Sequence, residues 1–106
     1  MAVISSDIKN VVRKYINMVN ESKKISRAFI YGSYARGNAS QWSDIDVALI
    51  SSDFTEDLFE ERIVLMKLAL TIDDRIEPSL FRPEDFNTGN PLVNEISTFG
   101  IEISAE

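Results

Sequence analysis

Residues 44–50 read Asp-Ile-Asp-Val-Ala-Leu-Ile, a β-prone run with a polar start and a wholly apolar end. Such a strand is stable when both faces are covered, so it belongs at the centre of a sheet with helices packed on it. The rest of the chain supplies those layers. Ile4, Ile8, Val11, Val12, Tyr15, Ile16 and Val19 recur at helical spacing behind Ser5 or Ser6 as N-cap. They predict an amphipathic helix ending near Asn20, with Lys9, Arg13 and Lys14 on its solvated side. Residues 27–31, Arg-Ala-Phe-Ile-Tyr, form a shorter β-prone run that Gly32 stops, and residues 33–43 read as a polar loop with room for one helical turn.

Phe54, Leu58, Ile63, Leu65, Met66, Leu68, Ala69 and Ile72 mark a long helix over about residues 56–72, capped by Ser52, Asp53 or Thr55. Residues 75–81 read as a third strand, which Pro78 places at an edge or a bulge because it has no N–H to donate. Pro83-Glu84-Asp85-Phe86 is a turn. Asn90 as N-cap and Pro91 at the first helical position open a last helix to about Phe99, which Gly100 stops before a short apolar tail at 101–103. No repeat or linker-like run interrupts this order, so a single α/β domain over residues 1–106 is expected.

Composition narrows the chemistry. The 106 residues include no Cys and no His, which removes disulfides, thiolate nucleophiles, imidazole bases and zinc sites built on either residue. Carboxylate, hydroxyl, amine and guanidinium groups are left. The N-terminal ten residues lack the pattern of a secretion signal, and no apolar run approaches the roughly 18 residues of a membrane span, so a cytoplasmic protein is expected. Eleven basic against 17 acidic side chains give a net charge of −6, which argues against stable binding of long nucleic acid. A nucleotide bound by such a chain is expected to arrive with a metal cation.

The informative segment is Gly32-Ser33-Tyr34-Ala35-Arg36-Gly37, followed by Ser43-Asp44-Ile45-Asp46. Asp44 and Asp46, two apart on a strand, point the same way, and two carboxylates held that close need a proton or a cation between them. Oxygen ligands of this kind suit Mg²⁺ or Mn²⁺. Gly32 permits a sharp exit from the first strand, and the amides after it, with the Ser33 hydroxyl, form a candidate anion nest. Phosphate donors facing a carboxylate pair suit a metal-bound triphosphate, where two ions make an imidazole base unnecessary. Glu77, extended by the Pro78 that follows it, is the best candidate for a third carboxylate; Asp73 and Asp74 are weaker ones. Arg36 is either a solvated loop cation or a phosphate contact. Trp42 reads as a packing residue before a base-stacking one, and Phe54, Leu58 and Phe59 as core or partner surface. An Asp-x-Asp or a Gly-Ser alone is usually a turn; their order, and the ten residues between Ser33 and Asp44, carry the signal.

At these residues the sequence resembles the nucleotidyltransferase superfamily typified by DNA polymerase beta, and within it the minimal, single-domain branch. The resemblance covers the whole chain in element order. It implies a small mixed β-sheet with helices packed on it, an α+β fold. It also implies ATP as substrate, two Mg²⁺ ions on Asp44 and Asp46 with Glu77 at the third-carboxylate position as a further metal ligand, and a triphosphate held by Gly32 and Ser33; Arg36 and Asp44 join these as nucleotide-binding candidates. The family's third acidic residue is commonly Asp; here it is Glu, one methylene longer and followed by proline. Many minimal nucleotidyltransferases are antitoxins encoded beside a helical HEPN ribonuclease toxin, to which they transfer AMP on a tyrosine, as in a type VII-like toxin–antitoxin pair. The resemblance therefore implies a HEPN-family toxin as partner in a hetero-oligomeric complex. An acidic surface suits a basic RNA-cleaving partner, and a chain this short leaves the acceptor to another protein. Two alternatives remain: an antitoxin that masks its partner without chemistry, and nucleotidyl transfer to a small molecule or RNA in a larger assembly.

Overall fold

Ser5 opens the first helix by accepting the Ile8 amide on its hydroxyl oxygen at 3.3 Å. In the computed structural model, which describes residues 4–87 and 89–104, helix α1 (Ser6–Asn20) follows this cap and buries Val12, Tyr15, Ile16 and Val19 along one stripe. Residues 1–3, 88, 105 and 106, part of the expected 1–106 domain, lie outside the described residues.

Strands β1 (Arg27–Tyr31), β2 (Ile45–Ile50), β3 (Ile76–Phe81) and β4 (Ile101–Glu102) form one sheet in the order β3-β2-β1-β4. β1 is antiparallel to β2 and to β4, whereas β2 and β3 run parallel. A parallel pair needs a crossover, and helix α3 (Leu58–Leu70) provides it. The one-turn helix α2 (Ser33–Arg36) follows β1, and a 3₁₀ turn (Pro83–Asp85) leads to helix α4 (Pro91–Phe99). The fold is the mixed-sheet α+β arrangement that the resemblance implies.

β2 is covered on both faces, as its composition requires. Ile45, Val47 and Leu49 join Ala28, Ile30 and the buried stripes of α1 and α3 in one core; Ala48 and Ile50 join Phe29, Tyr31, Phe81, Val93 and Ile96 in a second, against α4. Side chains alternate along a strand, so Asp46 shares the α4 face with Ala48 and Ile50. Pro78 sits on the edge strand β3. Its carbonyl accepts Arg62 Nε at 2.8 Å and so points away from β2; the absent N–H would point the same way and costs the sheet nothing.

The second long helix is shorter than the periodicity predicts. It starts at Leu58, because Asp57, not Ser52, Asp53 or Thr55, accepts the Glu60 amide as N-cap at 3.1 Å. Asp53 is committed elsewhere, accepting the Lys24 amide at 2.8 Å, and the Thr55 amide donates to Glu61 at 2.7 Å. At the other end Thr71 takes the C-cap position. Phe54 is core, Leu58 half-buried and Phe59 76% exposed. β2 and β3 each begin one residue later than predicted, and the apolar tail becomes β4. Among the described residues no helix is long and apolar enough to cross a membrane.

Tyr15 ties α1 to α3: it is fully buried, and its hydroxyl donates to the Leu65 carbonyl at 2.8 Å. Burial pushes its pKa far above the ordinary phenol value, so it stays neutral. Tyr15→Phe leaves that carbonyl without this donor and is expected to lower the unfolding free energy by about 1 kcal/mol. A lower urea midpoint at unchanged slope checks this.

Candidate active site

Gly32, the residue after β1, has φ 72° and ψ −142°, a conformation open in practice only to glycine. A Cβ there would also overlap Asp46 Oδ2 and stand 3.1 Å from Asp46 Cγ. The carboxylate of Asp46 therefore packs directly on the glycine backbone, across a β1–β2 register that pairs Tyr31 with Asp46. After Gly32 the chain makes the single turn of α2, whose first amides, on Ser33, Tyr34 and Ala35, have no backbone acceptor among the described residues. Gly37, at φ 82°, closes the turn, and the amides of Gly37 and Asn38 both donate to the Ser33 carbonyl, at 3.0 and 3.1 Å.

Gly32, Ser33, Arg36, Asn38, Asp46 and Glu95 line one open cleft of about 210 Å³. The structure thus brings together Gly32, Ser33, Arg36 and Asp46 as the sequence suggests, and adds Asn38 and Glu95. A larger cleft, about 480 Å³, lies between α1 and the β1–β4 side of the sheet and holds none of the predicted site residues. Asp44 is exposed just before β2, and Glu77 lies on β3 in register with Asp46.

Four carboxylates load this end of the sheet with negative charge. Burial, then the charges of Asp44, Glu77 and Glu95, push the Asp46 carboxyl up to about 6. Two of the four are neutralised by arginines. Glu77 accepts Arg62 Nη2 at 3.3 Å, from a guanidinium also anchored on the Pro78 carbonyl and, at 3.1 Å, on Met66 Sδ. Glu95 pairs with Arg36 at 3.2 Å. Among the described residues neither Asp44 nor Asp46 has a cationic partner. This uncompensated, oxygen-only pair fits a hard divalent cation. No three carboxylates among the described residues converge closely enough to hold an ion together, and one oxygen of Glu77 is on Arg62. Asp73 is bound by Arg75 at 2.8 Å, which holds its carboxyl below the ordinary value, and Asp74 is exposed. Trp42 does not pack: it is 82% exposed, because a turn joined by Ser40 and Ser43 projects it two residues ahead of Asp44.

Glu95, Asn38 and Arg62 carry no local sequence signal. Val93 and Ile96 set the buried stripe of α4, but which side chain flanks the cleft depends on how that helix lies on the sheet.

The family model for the polymerase beta nucleotidyltransferase domain matches residues 13–102, and the chain belongs to that family. It is a nucleotidyltransferase. A provisionally named protein adenylyltransferase of Methanocaldococcus jannaschii is 31% identical to it over 97 residues, covering 92% of this chain and 90% of the relative. Two solved structures share its fold. A provisionally named nucleotidyltransferase from Sulfolobus solfataricus aligns at TM-score 0.65 and 15% identity over 91% of this chain and 78% of that one. A complex of a tri-AMPylated Shewanella oneidensis HEPN toxin with its MNT antitoxin aligns at TM-score 0.56 and 23% identity, over 92% and 70%.

Gly32→Ala is expected to cost at least about 2 kcal/mol, from backbone strain and from overlap with Asp46. Adding Asp46→Ala should recover part of that loss, which thermal unfolding of the single and double variants measures. The raised Asp46 carboxyl has its own pH signature. Its contribution to stability is complete below the ordinary value of 3.8 and is lost as pH rises through about 6. Asp46→Asn is therefore expected to raise the metal-free Tm at about pH 7.5 and to change it little at about pH 4; equal shifts at both would contradict this.

Proposed function

We propose that this chain transfers AMP from ATP to a hydroxyl, a tyrosine's, on a HEPN-family ribonuclease toxin in the cytoplasm, and so serves as antitoxin. The observation that carries this reading is the seating of Asp46 on Gly32 at the cleft, with Asp44 two residues before it. In the transfer, the acceptor oxygen forms a bond to the α-phosphorus of ATP, the bond from that phosphorus to the oxygen bridging it to the β-phosphate breaks, pyrophosphate leaves, and the hydroxyl proton passes to water. Asp44 and Asp46, with Glu77 beside them, would hold Mg²⁺, which when bound supplies positive charge against the phosphate oxygens. The free amides at the start of α2 and the Ser33 hydroxyl orient the phosphate chain.

The cleft supports a second chain as acceptor. It is an open groove lined by glycine and polar side chains, which leaves an acceptor on another chain free to approach. The net charge of −6 suits a basic RNA-cleaving partner. The name of the M. jannaschii relative and the AMPylated toxin in the Shewanella complex point the same way. A second reading, neutralisation by masking alone, is favoured by the Arg62–Glu77 pair, which occupies the third carboxylate.

Incubation with ATP, Mg²⁺ and a candidate HEPN-family partner is expected to add AMP mass to that partner. Asp44→Ala/Asp46→Ala should reduce the addition to background while leaving the complex intact, and should abolish neutralisation in a growth assay. Neutralisation that persists in the double variant would establish masking instead. An unmodified partner in the presence of wild type with ATP bound would refute the transfer.

A further inference from the structure

Arg36 is the last residue of a one-turn helix and is followed by a glycine at φ 82°. A long side chain at such a place ordinarily waves in solvent. Here it is held on two sides by residues one helical turn apart on α4. The Glu95 carboxylate pairs with Arg36 Nη2 at 3.2 Å, and the guanidinium carbon lies 5.1 Å from the centre of the Phe99 ring. Glu95 and Phe99 are four apart, so they stand on the same side of α4 and form one cradle. Phe99 is 51% exposed, and neither the core nor the sheet accounts for a large aromatic there.

Arginine has five N–H donors in one plane. The carboxylate engages one end of that plane, and the guanidinium carbon stands over the Phe99 ring. The remaining donors stay on an edge of a guanidinium that lines the same cleft as Gly32, Ser33 and Asp46. Fixing the guanidinium beforehand removes a rotamer loss that phosphate binding would otherwise impose.

We propose that Glu95 and Phe99 are positioning residues that hold Arg36 ready to bind the triphosphate of the nucleotide. The proposal rests on the nucleotide reading of the cleft but not on the identity of the acceptor, and it is tested on the chain without its partner. Arg36 and Phe99 are exposed and Glu95 is half-buried in an ion pair, and each substitution keeps or reduces side-chain polarity without opening the core, so the variants are expected to fold; far-ultraviolet circular dichroism confirms it.

Calorimetric titration with Mg-ATP and, separately, with magnesium tripolyphosphate measures the effect. Arg36→Gln is expected to weaken both ligands roughly tenfold. Phe99→Leu should weaken both about threefold, and Phe99→Trp, which retains a ring, should restore binding. In the Arg36→Gln background Phe99→Leu should have no further effect, since it acts only through the arginine. Glu95 also lines the cleft in its own right, so Glu95→Gln is expected to have different effects with and without Arg36, and that difference measures what passes through the arginine. A Phe99→Leu that weakens ATP but leaves tripolyphosphate unchanged would mean that the ring touches the base, and would overturn the proposal. So would equal losses in both backgrounds, or an Arg36→Gln that binds like wild type. A wild-type chain that binds neither ligand would overturn the nucleotide reading itself, and this proposal with it.

Discussion

The seating of the Asp46 carboxylate on the backbone of Gly32 is the contact on which the rest of the site depends. It requires a residue without a side chain at the end of β1, and a backbone conformation that turns the chain away from the strand immediately. The antiparallel register then returns the chain so that Tyr31 faces Asp46, and whatever lies between must fit as a short excursion. One helical turn and a Ser-rich bend fill it. The parallel pairing of β2 with β3 sets Glu77 beside Asp46 from the other side. The amides and carboxylates of the cleft are thus gathered by strand pairing, the most rigid element available, instead of by a long flexible loop.

Charge explains why the site is built at a cost. Four carboxylates load one end of a sheet whose two faces bury apolar cores, and among the described residues two arginines supply local counter-charge. These arrive from opposite faces. Arg62 reaches round the edge of β3 from α3 to Glu77, and Arg36 meets Glu95 above α4. The pair left bare, Asp44 and Asp46, is the one the sequence motif marks. A fold optimised for stability would neutralise or replace them; two uncompensated carboxylates, one half-buried, are what the proposed cation site requires.

Much of this was legible in the sequence because it depends on local rules. β1 spans the residues that the β-prone run and Gly32 delimit, α1 follows its apolar spacing and Ser5 cap, and the edge position of β3 follows from the missing N–H of Pro78. The start of α3 differs from what the spacing predicts because several residues before it are competent caps, and hydrogen bonds from Lys24 and Thr55 decide between them. Trp42 departs from the packing role its hydrophobicity predicts because its exposure is set by a turn. Glu95, Phe99 and Arg62 stayed invisible for a stronger reason. Each acts on a residue brought near only by the packing of a helix on the sheet, and no spacing along the chain encodes that meeting.

The central claim is that this corner of the sheet binds a nucleotide together with a divalent cation. Calorimetric titration of ATP into the purified chain, in Mg²⁺ and in excess chelator, tests it directly. Binding that appears with Mg²⁺ and disappears with chelator is the predicted result; ATP bound with the same affinity in both, or in neither, would contradict the account.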